Sequence, residues 1–162
     1  MFEIVLLVAT FLVSLVGGIL LVFAIVVMPG LGALDDRGFL RAFKVIDRVI
    51  QENQPVFVFV WAGSILAVLI AVVLAATRFS GSVRTLALAA AVVYLIGVQI
   101  STFVNNIPLN NQLQALELDS MDTEDLAAAR ALLELPWNRW NRLRTMMACL
   151  SSVGFLVAVA QL

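Results

Sequence analysis

The stretch from Ile4 to Met28, IVLLVATFLVSLVGGILLVFAIVVM, contains no charged residue. It is longer than the roughly 20 residues that an α-helix needs to cross the hydrocarbon core of a bilayer. Aliphatic side chains cover all sides of this helix, which favours a membrane span over a helix on the membrane surface. Because no positively charged leader precedes it, we predict a retained anchor and not a cleaved signal peptide. The following MPGLG, residues 28–32, is predicted to end the helix, since proline lacks an amide donor.

Three further apolar stretches of similar character follow, at about residues 56–76, 85–107 and 143–161. The chain of 162 residues is 62% hydrophobic and 13% charged, whereas soluble domains average about 45–50% and about 25%. We therefore predict an all-α integral membrane protein, in which residues 1–162 form a single transmembrane domain built as a four-helix bundle. The lipid bilayer is its expected environment, and the plasma membrane its expected location. A net charge of −1 argues against nucleic-acid binding.

Two long connections are predicted to lie on one side of the membrane, because a chain that crosses four times begins and ends on the opposite side. The first, at about residues 37–52, has apolar residues at helical spacing from Phe39 to Ile50. It is predicted to form an amphipathic lid helix over the mouth of the bundle. The second lid helix, at about residues 121–135, has an acidic start and is predicted to stop at Pro136.

Uncharged amides gather at the end of the third span, in FVNNIPLNNQL, residues 103–113. Pro108 is predicted to interrupt the helix and to free carbonyl groups one turn back. One interpretation is that the asparagines cap this broken end, since amides both donate and accept hydrogen bonds. The other is that Asn106 and Asn110 face a cavity and orient a polar group of a bound molecule.

The second polar cluster is PWNRWNRLRT, residues 136–145. Trp137, Trp140 and Arg144 fit the belt of tryptophan and arginine that marks a membrane interface. In the alternative interpretation Arg144 is buried and therefore needs an acceptor, which would be Glu52, a carbonyl freed by Pro108, or an anionic ligand.

Several classes of site are excluded or have no support in the sequence. The chain has no histidine and one cysteine, Cys149, so the commonest metal ligand and general base is missing. The carboxylates, Asp47 among them, have no spacing that specifies a metal site, and we expect neither a metal nor a cofactor. Small residues four positions apart, such as Gly97 and Ser101, permit close helix packing, either within the bundle or in a homo-oligomer.

Four motifs together resemble a family of small four-span membrane proteins grouped around the anthrone oxygenases. These are VMPGL, IDRVIQENQPVF, NNIPLNNQL and WNRWNRLRT, and in this order they extend over most of the chain. The resemblance implies a four-helix membrane bundle whose signature residues gather on the lid side, at Pro29, Asn110, Trp140, Asn141 and Arg144. It also implies, for the enzyme-like members, oxidation of polycyclic anthrones by dioxygen without a well-defined cofactor.

The leading functional hypothesis is the binding of a small, largely apolar molecule at the lid-side mouth of the bundle. The predicted ligand-binding residues are Asn106, Asn110, Trp137, Trp140, Asn141 and Arg144. One alternative is an anthrone-oxygenase-like oxidation of a phenolic or polycyclic substrate in the same cavity. Another is a structural subunit of a membrane complex, which would need a membrane partner or a second copy but no cavity.

Overall fold

Every long element of the protein is a helix. The computed structural model describes residues 2–162, with side chains from Glu3 onward, and this part of the chain contains no strand. Four helical stretches are long and apolar enough to cross a membrane, namely Glu3–Gly32, Pro55–Arg78, Gly81–Ala115 and Thr123–Val159. The chain is an integral membrane protein, and the prediction of an all-α membrane bundle is confirmed.

The first spanning stretch continues past the point where it was predicted to end. Helix α1 (Phe2–Val22) leads through a π-helical segment (Phe23–Val27) into α2 (Met28–Gly32) without a break. Pro29 therefore lies inside the helix, and the prediction that the proline ends it after Met28 is wrong. The helix ends at Gly32, the last residue of MPGLG. In the π-helical turn the amide of Met28 donates to the carbonyl of Phe23, five residues back. This wider pairing accommodates the proline ring, which would otherwise meet the carbonyl four residues back.

The first lid is helix α3 (Asp36–Gln51), and it has the predicted amphipathic character. The Asp35 side chain caps its start by accepting a hydrogen bond from the Gly38 amide at 2.7 Å. Its inner face buries Phe39, Leu40 and Phe43. A short turn then leads into α4 (Pro55–Arg78), the second spanning helix.

The third spanning stretch also passes through its proline. Helix α5 (Gly81–Tyr94) continues through two π-helical segments (Leu95–Ile100 and Thr102–Asn106) into α6 (Ile107–Ala115). The prediction that Pro108 interrupts this helix is wrong, because Ile107 has ordinary helical angles. As at Pro29, π-helical turns directly precede the proline and re-pair the backbone groups around it.

The fourth spanning helix and the second lid are one element. Helix α7 (Thr123–Val159) contains Pro136 in its interior, so the prediction that Pro136 ends the lid helix is wrong. An interior proline costs about 3 kcal/mol, and packing on both sides of it offsets this cost. On the lid side, Arg130 donates to the carbonyls of Gly32 at 3.0 Å and Leu34 at 2.9 Å, and its guanidinium lies over the Phe39 ring.

Two apolar clusters make up the core. The membrane-embedded cluster is rich in alanine and valine from α1, α4, α5 and α7, and the lid cluster is built around Phe39, Phe43, Leu113 and Trp137. Close approach in the membrane-embedded part depends on small residues. A Cβ atom added at Gly97 would lie 2.8 Å from the Cβ of Met147 on α7. This contact within the chain accounts for the small residue at position 97.

Substituting Gly97 tests how tightly the third and fourth spans pack. We expect Gly97→Ala to lower the free energy of unfolding by about 1–3 kcal/mol, because the added methyl group overpacks against Met147. Thermal unfolding in detergent would measure the change. The matched control is Gly18→Ala, since nothing lies within 4 Å of a Cβ at that position. Equal stability of the two variants would contradict the close packing of Gly97.

Candidate functional site

A cavity of about 220 Å³ lies below the lid, where α3, the first turns of α4, the π-helical part of the third span and α7 meet. Aromatic rings form much of its wall, and they come from Phe23, Phe43, Phe57, Trp61, Phe103 and Trp137. Trp137 is fixed by an edge-to-face contact with Phe43 and by a 2.8 Å hydrogen bond from its indole Nε1 to Asn110 Oδ1. The aromatic side chains therefore form a rigid, flat, apolar surface that a ligand could contact.

Arg144 lines this cavity with only 4% of its surface exposed. Its Nη1 donates to Thr102 Oγ1 at 3.0 Å and its Nη2 to Asn141 Oδ1 at 3.1 Å. Both partners are neutral, and the Nε atom has no partner. The predicted acceptor Glu52 is exposed and does not pair with it. A buried guanidinium held only by neutral groups retains attraction for an acceptor that carries negative charge.

Asn106 is buried more completely, at 1% exposure, and lines the same cavity. Neither its amide nitrogen nor its amide oxygen has a hydrogen-bond partner. The neighbouring Asn105 behaves differently, since its Nδ2 donates to the Ser101 carbonyl at 3.2 Å. The two interpretations of the asparagines thus apply to different residues. Asn105 serves its own helix, whereas Asn106 has a free donor and a free acceptor beside the cavity.

Asn141 joins α7 to the first spanning helix within the cavity wall. Its Nδ2 donates to the Leu20 carbonyl at 3.1 Å, while its Oδ1 accepts from Arg144. Both amide atoms are thus engaged, and Asn141 holds the guanidinium in place.

Trp140 lies apart from the other predicted site residues. It contributes to a separate groove on the outer surface of α7, together with Leu135, Arg139 and Met146, and does not line the cavity. Helical geometry explains the separation. Trp137, Asn141 and Arg144 recur at steps of four and three residues and share one face, whereas Trp140 is turned from Trp137 by about 60°. Five of the six predicted residues line the cavity.

Asp47 was missed as a candidate site residue. It projects from the inner face of α3, is 2% exposed and lines the cavity. Its Oδ2 accepts from Gln51 Nε2 at 2.8 Å and from Gln114 Nε2 at 2.7 Å, while Oδ1 has no partner. The sequence does contain a signal, because Asp47 follows Phe43 by four residues and so lies on the buried face of the amphipathic lid.

The described residues include no group of three or more histidine, cysteine, aspartate or glutamate side chains that could hold a metal ion. The polar groups of the cavity residues are one guanidinium, one carboxylate, amides, a hydroxyl and two indole N–H groups, in a wall that is otherwise apolar. Such a set can bind and orient a molecule by hydrogen bonds, and can stabilise charge that develops on it.

Four spanning helices around a partly open cavity with an aromatic and aliphatic wall define the protein as a membrane helical bundle with a candidate ligand site. The family model described as anthrone oxygenase matches residues 54–154, which is more than half of the chain. The chain belongs to the anthrone oxygenase family, as its four motifs indicated. In comparisons with curated proteins and with solved structures, nothing matches the chain.

The free amide of Asn106 yields a prediction about stability. We expect Asn106→Leu to raise the free energy of unfolding of the ligand-free protein by about 1–3 kcal/mol, because it removes a buried polar group that has no partner. Thermal unfolding in detergent after extraction of bound lipid would measure it. Asn141→Leu is the control, and it should destabilise, since it breaks the bonds to Leu20 and Arg144. Destabilisation by Asn106→Leu as large as that by Asn141→Leu would show that Asn106 supports the fold.

Proposed function

We propose that the protein binds a small, largely apolar molecule in the cavity under the lid, with a polar end directed at Asn106 and Arg144. The observation that carries this proposal is Asn106, a fully buried amide that lines the cavity with no partner for either atom. An unsatisfied buried amide costs about 1–3 kcal/mol. A bound molecule that supplies the missing partners would recover this cost.

The size and chemistry of the walls support a ring-shaped ligand. An apolar cavity of about 150 Å³ is large enough to hold benzene, and the present one is about 220 Å³. This favours a molecule of one or two fused rings. The six aromatic side chains of the wall would stack against such rings or meet them edge-on.

The cavity has a wall on the lipid-facing side of the bundle. Phe103 and Ile107 line the cavity, yet 58% and 36% of their surfaces are exposed on the outside of the third span. These two residues thus both line the cavity and present surface outside it. A ligand dissolved in the membrane would enter the partly open cavity beside these side chains, without crossing the aqueous phase.

The second candidate function is oxidation of a phenolic or polycyclic substrate in the same cavity. Membership of the anthrone oxygenase family favours it. So does Arg144, whose free Nε could stabilise an enolate-like anion after a proton leaves the substrate. Dioxygen consumption on addition of a phenolic substrate distinguishes oxidation from binding alone. A structural subunit would neither bind the ligand nor consume dioxygen, but would co-purify with a stable partner or as an oligomer.

Native mass spectrometry, with identification of any released molecule, tests the proposal. We expect the wild-type protein to carry a stoichiometric small molecule and Arg144→Gln to lose it while staying folded, because glutamine lacks the cationic donor. The matched control is Arg142→Gln, an exposed position on the same helix, which should keep the ligand. A bare mass for the wild type at every detergent concentration would refute ligand binding.

A further inference from the structure

We infer that Asp47 is a ligand-binding residue that accepts a hydrogen bond from the bound molecule. The ligand is therefore a neutral molecule with a donor at one end and an acceptor at the other. This inference rests on the proposed function of the cavity and adds the chemical class of its ligand.

The two oxygens of the Asp47 carboxylate are in different situations. Oδ2 accepts two amide hydrogen bonds, from Gln51 on its own helix and from Gln114 on α6. Gln114 Nε2 also donates to the Lys44 carbonyl at 2.9 Å, so its side chain is fixed relative to the lid. Oδ1, in contrast, is buried without a partner. The carboxylate is thus held in one orientation with a single acceptor left over.

No cation of the lid neutralises this carboxylate. The adjacent basic residue, Arg48, is exposed, Lys44 donates to the Leu116 carbonyl at 2.5 Å, and the described ion pairs do not include Asp47. A buried carboxylate is costly unless it is paired and hydrogen-bonded. A donor from a ligand at Oδ1 would complete its hydrogen bonding.

The opposite charge lies elsewhere on the same cavity wall. Arg144 projects from α7 and Asp47 from α3, both line the cavity, and no hydrogen bond joins them. In the low dielectric of such a site, Arg144 would attract an anionic ligand and Asp47 would repel it. A cationic ligand would be attracted by Asp47 and repelled by Arg144. A neutral molecule with its donor at Asp47 and its acceptor at Arg144 and Asn106 satisfies both. It would also tie the lid to the spanning helices.

The test compares ligands that differ only in the donor. The probes are bicyclic aryl ketones (1-tetralones) with one ring hydroxyl at each available position, each with its methyl ether. Binding is followed by tryptophan fluorescence, because Trp61 and Trp137 line the cavity. For the isomer whose hydroxyl reaches Asp47, we expect the wild type to bind the phenol at least about ten-fold more tightly than the ether, as for a hydrogen bond to a charged group.

In Asp47→Asn this preference should fall to about two-fold or less, because the atom that has no partner becomes an amide donor. The remaining oxygen of the asparagine can still accept from Gln51 and Gln114, so the lid should stay in place. Asp36→Asn is the matched control. Asp36 lies on the same helix but pairs with Arg130 at 3.1 Å outside the cavity, and its substitution should leave the preference unchanged.

The outcomes separate the inference from the function on which it rests. If phenol and ether bind the wild type equally at every position, or if Asp47→Asn keeps the full preference, the role of Asp47 is wrong while binding in the cavity stands. If none of the probes binds the wild type, the proposed function fails for this class of molecule together with the inference. Should Asp47→Asn not fold, the phenol-to-ether ratio of the wild type alone decides.

Discussion

Hydrocarbon offers no hydrogen-bond partner, so the polar groups of a spanning helix must find partners inside the protein. Most of the structure obeys this constraint. Hydroxyl groups within the spans donate to the carbonyl four residues back, as Thr10 does to Leu6 and Thr145 to Asn141. Tyr94 bonds with both Ser64 and Gln99, which joins the second span to the third. The bundle is therefore internally satisfied over most of its length.

Against this background the unpartnered groups are unusual, because several of them share one place. Asn106, the Nε of Arg144 and the Oδ1 of Asp47 all belong to residues that line the cavity. A bundle selected for stability alone would replace them with apolar side chains. Polar groups that a fold keeps at a cost to its stability are characteristic of functional sites. The same reasoning connects the lid to the site, since Asp47 belongs to the lid helix.

The fold was largely accessible from the sequence, because the length and apolarity of four stretches depend on local composition alone. The effect of the prolines on the helices was harder to predict from the sequence. Pro29, Pro108 and Pro136 all lie inside helices, because π-helical turns or tertiary packing make up for the lost hydrogen bond. Intrinsic helix propensities contain no information about either π-helical turns or tertiary packing. Five predicted site residues line the cavity because the third and fourth spans bring their polar motifs, NNIPLNNQL and PWNRWNRLRT, together there. Asp47 was not predicted, because its partner Gln114 is far away in the sequence. Trp140 was predicted because it belongs to the same motif as Trp137, although it lies on another face of the helix.

The π-helical turns ahead of Pro108 have a consequence for how such a protein can change. A π-helical turn is equivalent to one residue inserted into a helix, and each residue of an α-helix turns the chain by about 100°. Losing one residue from such a turn between Leu95 and Asn106 would restore α-helical pairing at that turn and leave α6 in the same orientation relative to α5, so Asn110 would still line the cavity. The same loss in an ordinary α-helical part of the span would rotate everything beyond it by about 100°. The π-helical turns are thus the places where this span can lose a residue without changing which side chains face the interior.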